Sequence, residues 1–144
     1  MSAGGAVTSR PARRRALLRR DEQTAATPAW ERRLRRLPVA DLGGGLFVHE
    51  ARGRAARRRG LGGLDALPDD RALRLRCRAV HTFTMRFALD LIWLDRAGRV
   101  VRVDRHVLPR RHRGCVRARA VIETRAGCAD RFIEAGLGGY TRSR

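Results

Sequence analysis

Three ionisable side chains, His81, Arg86 and Asp90, stand inside the most apolar stretch of the sequence, the run from His81 to Asp95. A carboxylate in such a run is costly to bury alone, so Asp90 needs either a partner or a polar site around it. Read as a strand, the segment projects Arg86 and Asp90 to one face and Phe83, Met85, Phe87, Leu89 and Leu91 to the other. His81 falls on the odd face unless the chain turns before Phe83. The chemistry open to this trio is ligand binding in a small polar pocket, or acid–base work by His81 and Asp90 in the manner of a small hydrolase. The competing reading is structural: Asp90 caps a loop or pairs with Arg86 to fix a hairpin. The residues alone leave both open.

Other chemistries are more weakly supported. Cys77 and His81 are a near pair of nucleophile and base, and no Gly-x-Ser-x-Gly elbow accompanies them. Gly43-Gly44-Gly45 and Gly62-Gly63 lack the Lys-Ser/Thr of a phosphate-cradling loop. Cys77-x3-His81 and His106-x5-His112-x2-Cys115 fit no recognised zinc spacing, so we expect no metal and no cofactor. With Cys128, the three cysteines are an odd number without C-x-x-C spacing, which argues against a disulfide framework.

Charge supplies a different candidate function. The net charge is +19, and every one of the 33 basic residues is arginine. Lysine and asparagine are absent, as a very GC-rich coding sequence would produce. That explains the residue type but not the excess over acid, which implies affinity for polyanions. Residues 1–40 hold ten Arg against three acids, 41–70 five against five, and 71–144 eighteen against six. A nucleic-acid surface would be built from Arg74, Arg76, Arg78, Arg110, Arg111, Arg113, Arg117 and Arg119.

The elements that must position these groups follow from the hydrophobic pattern. Residues 1–40 read as a basic, disordered tail: Pro11, Arg13-Arg14-Arg15 and Thr27-Pro28 break any sustained period, and Trp30 to Leu37 offers only a weak amphipathic turn or two before Pro38. Residues 41–140 read as one domain. Leu46-Phe47-Val48 is a short strand candidate, and Ala51 to Arg59 a short helix closed by Gly60. Alternation of Leu73, Leu75 and Cys77 with Arg74, Arg76 and Arg78 predicts a half-buried strand with a cationic face. The apolar run continues to Leu94, Asp95-Arg96-Ala97-Gly98 makes a hairpin turn, and Val100 to Val107 returns. Val116 to Ile122 is a further strand, and Ala126 to Ala135 a helix stopped by Gly136. The fold expected is mainly β, a small jelly-roll-like sandwich or barrel with one or two short helices. No apolar run reaches the ~20 residues that cross a bilayer, and no secretory signal is visible, so a cytoplasmic protein is expected.

One further observation concerns order. Ala51…Arg58…Gly60-Leu61, then Cys77-x-x-Val80-His81-Thr82-Phe83-x-Met85-Arg86-Phe87-x-Leu89-Asp90…Leu94-Asp95, then Gly98-x-Val100-Val101 and Val121-x-Glu123…Ala126-Gly127 resembles the DUF192 family of uncharacterised bacterial and archaeal domains. The resemblance covers about residues 46–138 and implies a jelly-roll-like sandwich, with no established activity, cofactor or catalytic residue. The chain departs from the family at Thr84, often Gly, at Ala88, often Pro, and at Leu64, usually part of Gly-Leu-x-Gly-Arg. Gly138-Gly139-Tyr140 replaces a usual Pro-Gly-Asp turn. What emerges is a non-enzymatic binding or accessory module with an unknown protein or small-molecule partner, the alternatives being polyanion binding or a small hydrolase.

Overall fold

The structure is a computed structural model that describes residues 26–137. Among these residues are eight strands in two sheets and three short helices. In chain order they are α1 (Ala29–Leu34), β1 (Val39–Asp41), β2 (Phe47–Glu50), α2 (Gly53–Arg59), β3 (Arg71–Leu75), β4 (Ala79–His81), β5 (Leu89–Leu94), β6 (Val100–Val107), β7 (His112–Gly114), β8 (Ala120–Arg125) and α3 (Ala129–Glu134). The main sheet runs β1-β2-β3-β8-β5-β6 and does not close on itself, while β4 and β7 form a separate antiparallel ribbon. Mainly β, then, with two unequal sheets rather than a closed barrel. All neighbours are antiparallel except β2 and β3, whose parallel pairing requires the crossover that contains α2.

β5 is the spine because it is apolar on both faces. All six of its residues are buried. Leu89, Leu91 and Trp93 enter one core with Leu61, Leu67, Leu73 and Val121, while Ile92 and Leu94 enter a second with Val48, Ile122 and Phe132. Fully burying side chains of this kind is worth about 1.5–3 kcal/mol each. The first core lies under the crossover loop and the ribbon, the second under α3. Trp93 satisfies its indole N–H on Asp104 (2.9 Å) and has the Arg102 guanidinium over its ring. The β5–β6 hairpin forms as expected, because Asp95 accepts the amides of Ala97 and Arg99 and Gly98 takes φ +81°.

Three differences from the sequence reading have identifiable causes. The strand expected to run unbroken to Leu94 stops at His81 and restarts at Leu89. Thr82 breaks it: its buried hydroxyl donates to the Leu108 carbonyl (2.8 Å) and accepts the Arg111 amide (2.9 Å), and its carbonyl takes the Met85 amide. Met85 and Phe87 therefore reach the core from a loop, and Phe83 turns to solvent. Similarly, Val116 is 86% exposed in a turn at Cys115–Ala118, and the strand begins at Ala120. Lastly, the fold reaches upstream of residue 41. Leu34 is fully buried, β1 pairs with β2, and the Arg71 guanidinium lies over both Trp30 and Phe47, fixing α1 to the sheet. The rest of the expected tail, residues 1–25, and the Gly138-Gly139-Tyr140 segment lie outside the described residues.

Candidate functional site

The trio picked out by type and spacing is not brought together. Asp90 is 1% exposed, and its carboxylate is taken up entirely by backbone. One oxygen accepts the His106 amide (2.9 Å), the other the amides of Gly127 (2.9 Å) and Ala129 (3.2 Å). The first bond sits at a bulge, where Leu89 pairs with Val107 but Leu91 with Asp104, and His106 adopts φ +50°. Asp90 is a clasp between β6 and the start of α3. Arg86 reaches away to pair with Asp65 (2.6 Å) in an exposed ion pair, worth little in water. His81 alone of the three lines a cleft, its ring stacked on Phe83 at 5.4 Å between centroids.

That cleft has a volume of about 140 Å³, some tenfold above the ~10–15 Å³ that admits one water. Its rim is the last turn of α2, with Arg57, Arg58 and Arg59. Cations there complement the carbonyl end of the helix. The next wall is the Gly60–Gly62 loop, braced by Arg33, which donates to the carbonyls of Gly60 (2.9 Å) and Gly62 (3.2 Å). Gly62 is required by close approach: a Cβ there would stand 2.3 Å from Thr84 Oγ1, and the Gly63 amide bonds the Thr84 carbonyl. The far wall is Val80, His81 and Met85, and the inner surface Leu75, Cys77 and Glu123.

Glu123 is the unexpected member. It lies mid-sheet, opposite Leu73 on one side and Leu91 on the other, and is only 6% exposed. Its carboxylate makes no hydrogen bond or ion pair with any described residue, and burial pushes its pKa up to about 7. A buried carboxyl without a partner is costly in a scaffold and common where a protein meets a ligand. Burial, reinforced by Glu123, likewise pushes the Cys77 thiol up, while the Ala79 backbone and Arg57 oppose it. Cys77 is thus a thiol, not the thiolate that nucleophilic chemistry needs.

Sequence reasoning missed Glu123 as a site residue although a signal was present. Val121 and Glu123 alternate onto one face of a strand, which places a carboxyl in the row of core residues. The rim arginines gave no signal, since nothing in the sequence places α2 over β8.

The arginines proposed for polyanion binding divide. Arg74 is half-buried and paired with Glu50 (3.2 Å). Arg76, Arg78, Arg110 and Arg111 are exposed on or beside the β4–β7 ribbon, with Arg113 half-buried in it. Arg117 and Arg119 line a shallow depression with Asp95, Arg96 and Arg99 at the hairpin end. Among the described residues no group of three or more His, Cys, Asp or Glu side chains is placed to hold a metal ion, and no helix is long and apolar enough to cross a membrane.

Comparison with known proteins adds family and fold. No curated protein matches the chain. The fold is similar to that of a Novosphingobium aromaticivorans protein of unknown function, with TM-score 0.54 and 20% identity over 65% of this chain and 74% of that one. It is similar as well to a Sinorhizobium meliloti protein described as a "putative transcription regulator", with TM-score 0.54 and 19% identity over 60% and 74% of the two chains. Residues 41–137 match the model of DUF192, described as an uncharacterized ACR, and the chain belongs to that family.

Proposed function

We propose that this protein is a small-ligand-binding module and that the cleft beside His81 takes a small anion. The observation that carries the reading is the union, in one cleft, of a cationic rim and an unpartnered buried carboxyl at its inner surface. Guanidinium groups at Arg57 to Arg59 are suited to carboxylate or phosphate oxygens, and Leu75, Val80 and Met85 give the cleft an apolar lining. His81 adds a polar group at the mouth. Arg86 and Asp90 hold the surrounding loops and contribute nothing to the lining. An amide NMR titration with acetate and with inorganic phosphate, at constant ionic strength, tests this. Shifts concentrated at Gly60, Gly62, His81 and Thr84 are expected. Shifts spread over all exposed arginines, or none, would sink it.

A second reading, association with polyanions, is favoured by one observation. Residues 72–89 and 106–122, which supply the β4–β7 ribbon, contain no carboxylate at all. A duplex DNA titration at increasing salt measures it. Arg78→Ser together with Arg113→Ser should reduce the slope of log K against log salt by about 0.9 for each phosphate that is no longer neutralised. An unchanged slope would exclude the ribbon as the DNA-binding surface.

A further inference from the structure

The small-anion reading leaves the carboxyl at the inner surface without a use, and its geometry narrows the ligand class. Glu123 is held mid-sheet by pairing on both sides, so its carboxyl stays at the inner surface of the cleft. No described residue pairs with it, so a ligand that fills the cleft has to offer the donor that replaces water there. Resting on that reading, we infer that the cleft binds a small hydroxy acid, whose acid group meets the rim at Arg57 to Arg59 and whose hydroxyl bonds Glu123.

A neutral donor suits this position better than an ammonium. A cation would leave water and pass beneath three guanidinium groups to reach the carboxyl, and desolvating a second charge there costs more than the pair returns. A hydroxyl serves either protonation state, because it donates to the carboxylate and can both donate to and accept from the carboxylic acid. The span is short, since Glu123 and Arg57 line the same cleft of about 140 Å³. An acid of a few atoms bridges the rim and the inner surface.

The experiment compares isosteric pairs that differ only in the donor: glycolate with propionate, and lactate with isobutyrate. Each is titrated into the full chain at constant ionic strength and followed by amide NMR at Gly60, Gly62 and Thr84. A hydrogen bond to a buried, ionisable group predicts on the order of tenfold tighter binding for the hydroxy member of each pair. The preference should vanish in Glu123→Leu. In Arg57→Ala, an exposed position, all four acids should weaken together with the ratio kept. Equal binding of both members in the wild type would overturn the hydroxy-acid class while leaving the small-anion reading standing. A preference that survives in Glu123→Leu would overturn Glu123 as its source. Glycine binding more tightly than glycolate would overturn the neutral donor, and no response to any of the acids would end both readings.

Discussion

Replacing Glu123 by Gln should shift relative stability in favour of the variant as pH rises. The carboxyl is buried without a partner and its pKa is raised to about 7 from 4.5. In the unfolded chain it ionises near 4.5, so as pH rises through the window from 4.5 to 7 the unfolded state sheds a proton that the folded state keeps. Folding stability therefore falls across that window and levels off above it. At 1.36 kcal/mol per pKa unit, the loss between about pH 5 and about pH 8 is roughly 2.5 kcal/mol. Gln has no such titration, and the constant cost of burying its amide drops out when the same two proteins are compared at two pH values. Thermal melts of wild type and Glu123→Gln at about pH 5 and pH 8 read the double difference, which for a fold of this size is on the order of 10 °C. A difference independent of pH, or one that shrinks as pH rises, would refute the picture of Glu123 as a buried carboxyl held near neutrality.

Three further outcomes follow from the same geometry. Asp90→Asn should destabilise by about 3 kcal/mol, measured by urea unfolding, because in either orientation the amide nitrogen confronts a backbone N–H, that of His106 or those of Gly127 and Ala129; binding at the cleft by the protein that remains folded should be unchanged. Gly62→Ala should cost about 1–3 kcal/mol through the clash with Thr84 Oγ1, and Thr84→Ala in the same chain should restore most of it, as thermal melts would register. His49 is buried beside Arg71 with neither ring nitrogen in a well-formed hydrogen bond, and burial lowers its pKa more than the adjacent Leu34 backbone raises it. Its unfolded form takes up protons below 6.5 and its folded form resists, so stability falls as pH drops below that value. A His49→Phe variant should show a flatter acid limb in denaturant unfolding between about pH 4 and 7.

How far the sequence revealed the fold depended on whether local pattern and tertiary position agreed. The β5–β6 hairpin was legible because β5 is apolar on both faces and Asp95 and Gly98 specify the turn. The segment from Thr82 to Ala88 was misleading because Phe83, Met85 and Phe87 alternate like a strand, whereas the hydroxyl of Thr82 fixes a turn through partners 26 and 29 residues away. No window on the sequence contains those partners. The cleft was opaque for the same reason: its lining comes from α2, the loop after it, β3 with β4, and β8. Asp90 was correctly marked as needing partners, yet the partners are backbone amides, which leave no trace in residue identity.

The parallel pairing of β2 with β3 carries a consequence for how this site can change. The rim of the cleft belongs to a single connection, from Gly53 through Gly63, tethered at both ends to neighbouring strands, whereas Glu123 belongs to the sheet itself. The rim arginines can therefore be exchanged as one cassette without re-registering any strand. The cationic rim and the buried carboxyl are separable features, free to vary independently on one unchanged scaffold.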